Sequence, residues 1–60
     1  MNKRVVEYKL AYGGGGVGIE ESVNELIKRG FQPFGQLVVA MISVEEEAIY
    51  YAQPMVRYED

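Results

Sequence analysis

The 60 residues contain neither His nor Cys. The chemistry open to the chain is therefore that of carboxylates, amines, guanidinium groups and hydroxyls. Ser22 and Ser43 have no imidazole or thiolate to activate them, so a nucleophile-base-acid triad is not available. Glu20, Glu21 and the run Glu45-Glu46-Glu47 fall at positions where a carboxylate is ordinarily just solvated. Zinc bound by carboxylates alone would be a poor ligand set. The expectation is no metal, no cofactor and no enzymatic activity.

Binding chemistry is better represented. Five of the six basic residues, Lys3, Arg4, Lys28, Arg29 and Arg57, lie where the chain's elements are expected to start or stop at one common end. Phe31, Phe34 and Tyr58 lie in the same region, along with Gln32 and Gln36. Guanidinium forks match phosphate oxygens and aromatic rings stack on bases. The candidate ligand-binding set is Arg4, Arg29, Arg57, Phe31, Phe34 and Gln36. The ordinary alternative is that Lys28 and Arg29 complement a helix C-terminus while the two Phe are core.

A second candidate is Tyr12 with Gly13, Gly14, Gly15 and Gly16. A glycine run before a helix can cradle phosphate with backbone N–H groups. It is not a Walker motif, because no Lys-Ser/Thr opens the helix. Glu20, Glu21 and Glu45–Glu47 are expected at the same end and would repel an anion. Within one subunit the plainer reading is a flexible connector. A cation supplied by a second subunit would alter that balance.

The positioning elements follow from periodicity. Residues 3–12 alternate as a strand, with Val6, Tyr8, Leu10 and Tyr12 on one face and Val5, Glu7, Lys9 and Ala11 on the other. Gly13–Gly18 ends it, since glycine loses most backbone entropy in a strand. The stripe Ile19, Val23, Leu26, Ile27 predicts a helix over 19–29 with Gly18 as N-cap, Glu20 and Glu21 in the first turn and Lys28 and Arg29 in the last. Ser22 and Glu25 offer a later capping-box start, which would leave Ile19 outside the stripe. Gly30 is the left-handed residue after the helix, Phe31 its hydrophobic contact, and Pro33 prevents continuation.

Strands are then expected over 36–44 and 48–58, joined by the acidic turn. Running the last strand between the other two makes every pairing antiparallel. Pro54 complicates this, because a central strand cannot lose a donor freely. Either Pro54 sits at a bulge, or the last strand is an edge and the first two are parallel through a right-handed crossover. The predicted class is α+β: one β-α-β-β domain over 1–60, with a three-stranded, mainly antiparallel sheet and one helix on one face.

Coverage is the difficulty in that arrangement. Leu37, Val39 and Met41 point one way and Val38, Ala40, Ile42 and Val44 the other, so both faces of one strand are apolar. One helix covers one face. A 60-residue chain that is 48% hydrophobic and has no disulfide is marginal alone, and oligomerisation is the remedy left. The expected partner is the chain itself, as a dimer or larger. The net charge of −3 argues against long DNA or RNA, which need a basic face. No apolar run approaches a membrane span, and Met1–Arg4 is followed by no signal-like apolar stretch, so no membrane is expected and the location read is cytoplasmic.

Val23-Asn24-Glu25-Leu26-Ile27, then Gly30-Phe31-Gln32-Pro33-Phe34-Gly35, then Tyr50-Tyr51-Ala52-Gln53-Pro54-Met55-Val56 resemble a domain-of-unknown-function family of short bacterial and phage proteins. Those carry V-N-E-L-I, G-W-x-P-x-G-G and Y-Q-A-M-V stretches in this order. The resemblance spans Val5 to Arg57 and departs at Phe31 for Trp, Gln36 for Gly, Pro54 for Ala and in the glycine tetrad. It implies the β-α-β-β fold and carries over no catalytic residue. By size and style the chain is also similar to phage anti-defence sponge proteins, oligomers that sequester nucleotide-derived immune signals. The expected function is accordingly a non-catalytic homo-oligomer that sequesters a small phosphorylated ligand. The competing expectation is a protein-interaction or assembly module using the open sheet face or an edge strand.

Overall fold

The last strand of the chain is the central one. In the computed structural model, which describes residues 3–59, β4 (Ala48–Glu59) pairs antiparallel with β1 (Arg4–Gly14) from Arg4↔Glu59 to Gly14↔Tyr50. On its other side β4 pairs, again antiparallel, with β2 (Gln32–Pro33) and β3 (Val38–Ser43). The architecture is a β-α-β-β α+β domain with strand order β1-β4-β2 and β3 continuing alongside β4. Of the two arrangements left open by Pro54, this is the all-antiparallel one.

Pro54 is tolerated at the centre because its neighbour is broken there. The Pro54 carbonyl accepts the Phe34 N–H at 2.9 Å, so its backbone polar side faces the β2–β3 flank. In an antiparallel ladder a residue's N–H and C=O face the same neighbour. The missing donor therefore faces residues 34–37, between β2 and β3, and the ladder to β1 loses nothing. The strand expected over 36–44 appears as β3 over 38–43, and β2 at Gln32–Pro33 is a further short pairing that the sequence reading did not expect. Three residues, Gly35, Gln36 and Leu37, stand opposite Gln53 alone, and Gly35 takes a φ of +82°, which glycine adopts without strain. Buried Gln53 closes this excursion, its Nε2 donating to the Gly35 carbonyl at 3.2 Å and the Pro54 carbonyl at 3.0 Å.

The helix α1 runs Gly15–Lys28 with Gly14 as N-cap, four residues before the predicted start. Glu20 and Glu21 consequently lie beyond the first turn and do not complement the dipole there. The C-terminus behaves as expected. Gly30 has φ +94°, its N–H donates to the Ile27 carbonyl and that of Phe31 to the Leu26 carbonyl, each at 3.0 Å. This is a Schellman end with Leu26 and Phe31 both buried.

Cross-strand partners share a face, so the helix side of the sheet carries Lys9, Ala11 and Gly13 of β1 with Met55, Gln53 and Tyr51 of β4. The core is built there from Ala11, Ile19, Leu26, Phe31 and Met55, with Val23 and Tyr51 packed against it. A bulge at Val6 moves Val5 onto the opposite face, beside Tyr8, Leu10 and Tyr12, rather than with Lys9 and Ala11 as strict alternation predicts. That opposite face has no covering element. The helix packs on β1, β4 and β2 and leaves β3 bare. The extents are 48 × 17 × 13 Å and the Cα radius of gyration is 13.1 Å, against about 10 Å for a compact chain of this length.

Candidate functional site

Antiparallel β1–β4 pairing does bring Arg4, Arg57 and the end of α1 to one pole. The pole also supplies its own counter-ions. Arg57 Nε and Nη2 donate to Glu7 Oε1 at 3.1 and 3.0 Å, and Arg4 Nη2 donates to Glu59 Oε1 at 2.6 Å. Both pairs are partly solvated, so each contributes at most about 1 kcal/mol, but a phosphate there must displace a carboxylate. Glu7 and Glu59 were not in the predicted set, because their roles depend on the β1–β4 register.

The remaining members of that set disperse. Phe31 is buried under the helix C-terminus. Phe34 is half exposed and hydrogen-bonded opposite Pro54. Gln36 is exposed at the level of Gln53, four residues along β4 from Arg57, which is ~13 Å at strand rise. Arg29 is the C-cap and lies on a different surface, a groove between α1 and the outer edge of β1. Lys9, Tyr12, Glu21, Glu25 and Leu26 line the same groove, of about 580 Å³. Among the described residues Lys9 and Arg29 form no ion pair. Ser22 Oγ donates to the Tyr12 carbonyl at 2.7 Å and so ties the helix to this edge.

The glycine run is not a loop. Gly13 and Gly14 finish β1, and Gly15 and Gly16 open α1. A Cβ on Gly13 would lie 2.4 Å from the Gly18 carbonyl carbon and 2.5 Å from Ile19 N, so Gly13 is where the first helical turn rests on the strand. A Cβ on Gly14 would lie 2.8 Å from the Tyr50 ring. Two of the glycines proposed as a phosphate cradle therefore have packing roles, which sequence reading missed because the Gly13 contact depends on how the strand turns into the helix and the Gly14 contact is with distant Tyr50. The acidic turn is at this end, as expected: Tyr50 Oη donates to Glu46 Oε1 at 2.6 Å. That hydrogen bond and the adjacent negative charge raise the Tyr50 pKa above its ordinary value.

A further surface is the helix-free face of the sheet. Val5, Tyr8, Leu10 and Tyr12 of β1 align there with Val38 and Met41 of β3, around Tyr50, Ala52, Pro54, Val56 and Tyr58 of β4. Tyr12 and Tyr50 stack with centroids 5.8 Å apart and planes 6° from parallel. No register-paired position on this face is charged. Glu7, Lys9, Arg57, Glu59 and Arg4 all fall on the helix side. Among the described residues no acidic cluster is placed to hold a metal ion, and no helix is long and apolar enough to cross a membrane.

No family model, curated protein or solved structure matches this chain.

Proposed function

We propose that this chain is a non-catalytic binding module that works as a homo-oligomer, its copies meeting through the uncharged aromatic face of the sheet. The observation that carries this reading is the segregation of charge and apolar surface between the two faces. Tyr8 and Leu10 are each 58% exposed, and with Val5, Tyr12, Val38 and Met41 they present on the order of 600 Å² of mainly apolar surface. A monomer's largest patch is ~300–600 Å², and a stable interface takes ~800 Å² per partner. The register-paired positions of this face carry no charge, and the carboxylate nearest to it, Glu46, is hydrogen-bonded to Tyr50 at the hairpin end, so chains of net charge −3 can meet there with little like-charge repulsion. The occupant is a second copy, because a chain marginal by itself needs a cover that is always present at its own concentration.

The test is sedimentation equilibrium at micromolar concentration. The wild-type chain should give at least twice the chain mass. The Tyr8→Thr/Leu10→Thr pair, which keeps strand propensity, should give a smaller assembly with unchanged circular dichroism. A folded wild-type monomer would refute the reading.

A ligand-sequestering form of this module, holding a small phosphorylated molecule in the cytoplasm, is supported by one arrangement. Lys9 and Arg29, unpaired among the described residues, line one groove. Glu21 and Glu25 in that groove oppose an anion, so this form rests on a further cation from a neighbouring copy. Calorimetric titration with adenosine diphosphate tests it. Loss of binding in Lys9→Ala and Arg29→Ala at unchanged oligomer size supports it, and no heat with the wild-type chain removes it.

A further inference from the structure

β1 is an outer strand of the sheet, and part of its backbone faces away from its neighbour. Leu10 stands opposite Pro54, which has no N–H to give and whose carbonyl accepts the Phe34 N–H at 2.9 Å. The N–H and C=O of Leu10 therefore point outward, and by alternation so do those of Tyr8 and Tyr12. At Tyr12 the helix reaches this edge, where Ser22 Oγ donates to the carbonyl at 2.7 Å. Among the described residues no hydrogen bond reaches the outward groups of Tyr8 and Leu10. The groove between α1 and β1 leaves the helix side of Lys9 and Leu10 open. An edge of this kind is a template for a further strand.

We propose that this edge pairs with the β1 edge of a second copy, antiparallel about a two-fold axis at Tyr8, so that two sheets become one. The inference rests on the self-assembly reading above and adds a contact separate from the aromatic face.

The charges identify the occupant. Side chains opposite each other across a ladder share a face, and a two-fold axis normal to the sheet keeps both helix sides together. Such an axis passes level with one residue of β1, whose neighbours then pair reciprocally. At Tyr8 it sets Glu7 opposite Lys9 of the partner subunit and Lys9 opposite the partner's Glu7. At Glu7 or at Lys9 it would set that residue against its own copy, like charge to like. At Leu10 it pairs Lys9 with Ala11 of the partner subunit and Glu7 with the partner's Gly13. Within 7–11, Tyr8 is thus the axis position that opposes unlike charges.

Both groups are available for that pairing. Lys9 is exposed and in no ion pair among the described residues. Glu7 accepts from Arg57 through Oε1, and among the described residues its Oε2 accepts nothing. A lone Lys on an edge strand guards against pairing. Glu7, two residues before it, makes this edge complementary to itself instead. The bulge at Val6 and the Ser22 contact at Tyr12 bound the new ladder and keep it short. Lys9 cannot serve both this contact and an anion in the groove, so the pairing competes with the sequestering form of the module.

Sedimentation equilibrium of the full chain tests this in the Tyr8→Thr/Leu10→Thr background, which alters the aromatic face but keeps the backbone edge and strand propensity. That chain should sediment as two copies. Adding Lys9→Glu sets Glu against Glu at two positions and should weaken the pair roughly tenfold or more, as should Glu7→Lys. An equimolar mixture of the two charge variants regains unlike charges at both positions and should return the affinity of the background. In the wild-type chain the Tyr8 N–H should exchange with solvent more slowly than in Lys9→Glu, at equal circular dichroism. A wild-type assembly whose face variant is a monomer overturns the edge contact and leaves the proposed function standing. A wild-type dimer that the face variant leaves intact and the charge variants dissolve supports the edge and overturns the aromatic face. A wild-type monomer overturns both. Charge variants that do not weaken the pair, or do not recover on mixing, overturn the pairing at Tyr8.

Discussion

Gly13→Ala and Gly16→Ala are the same substitution three residues apart, and they should act in opposite directions. At Gly13 the new Cβ lies 2.4 to 2.5 Å from the Gly18 carbonyl group and Ile19 N. Ordinary contact begins near ~3.5 Å, so α1 must retreat from β1 by about 1 Å. The obstructing atoms are backbone, so no side-chain rotation relieves the clash. A gap of that size forfeits roughly a quarter to a half of the dispersion contacts along the helix–sheet seam, where Ala11, Ile19, Leu26 and Met55 meet. Overpacking of this kind costs ~1–3 kcal/mol, and the upper end applies where backbone must move. At Gly16 a Cβ meets nothing within 4 Å and the residue is helical, so alanine should stabilise by ~0.5 kcal/mol, less than mid-helix because this is the first turn. The assay is urea unfolding followed by circular dichroism at one fixed protein concentration, since assembly makes stability concentration-dependent. With an m-value near ~1 kcal/mol/M, Gly13→Ala should lower the midpoint by roughly 2–3 M and Gly16→Ala should raise it slightly. Midpoints for Gly13→Ala within ~0.5 M of wild type would refute the packing account. They would return the glycine run to the status of a tolerant connector.

Gln53→Leu should destabilise by ~1–3 kcal/mol, because it removes the donor to the Gly35 and Pro54 carbonyls, and hydrogen exchange should quicken across 34–37; unchanged exchange would show that the excursion holds itself. Arg57→Ala should cost under ~1 kcal/mol in thermal unfolding, since its partner Glu7 is also part-exposed, and a larger loss would mean the ion pair is buried in the assembly. The Tyr50 hydroxyl should ionise at higher pH than an ordinary tyrosine, and Glu46→Gln should lower that midpoint in an NMR titration. With its folded pKa raised, whatever stability this pair contributes is present below the ordinary tyrosine pKa and is lost as pH rises through the folded value.

The sequence by itself determined the element order, the Schellman end at Gly30-Phe31, the last strand and its acidic turn, and the excess of apolar residues on the strand before it. These are local matters: a periodicity, a glycine where φ must be positive, a run of valine and isoleucine too long for one covering helix. The convergence of Arg4 and Arg57 was also legible, because it follows from antiparallel order alone. Their pairing with Glu59 and Glu7 was not, since one residue of register, here displaced by the bulge at Val6, decides which charges face each other. The helix start was misplaced for a related reason. Four glycines read locally as a strand end and a connector, yet Gly13 remains in the strand and Gly15 enters the helix, and the close approach of Gly13 to Gly18 needs a residue without a Cβ at position 13. Pro54 argued locally against a central strand, and only the break in the neighbouring strand at 34–37 supplies the place where a missing donor is harmless. Which face the helix takes was likewise a tertiary decision. It lies over Ala11 and Gly13, where small residues let it approach, and so leaves Tyr8, Tyr12, Tyr50 and Tyr58 on the other face while Tyr51 packs beneath it.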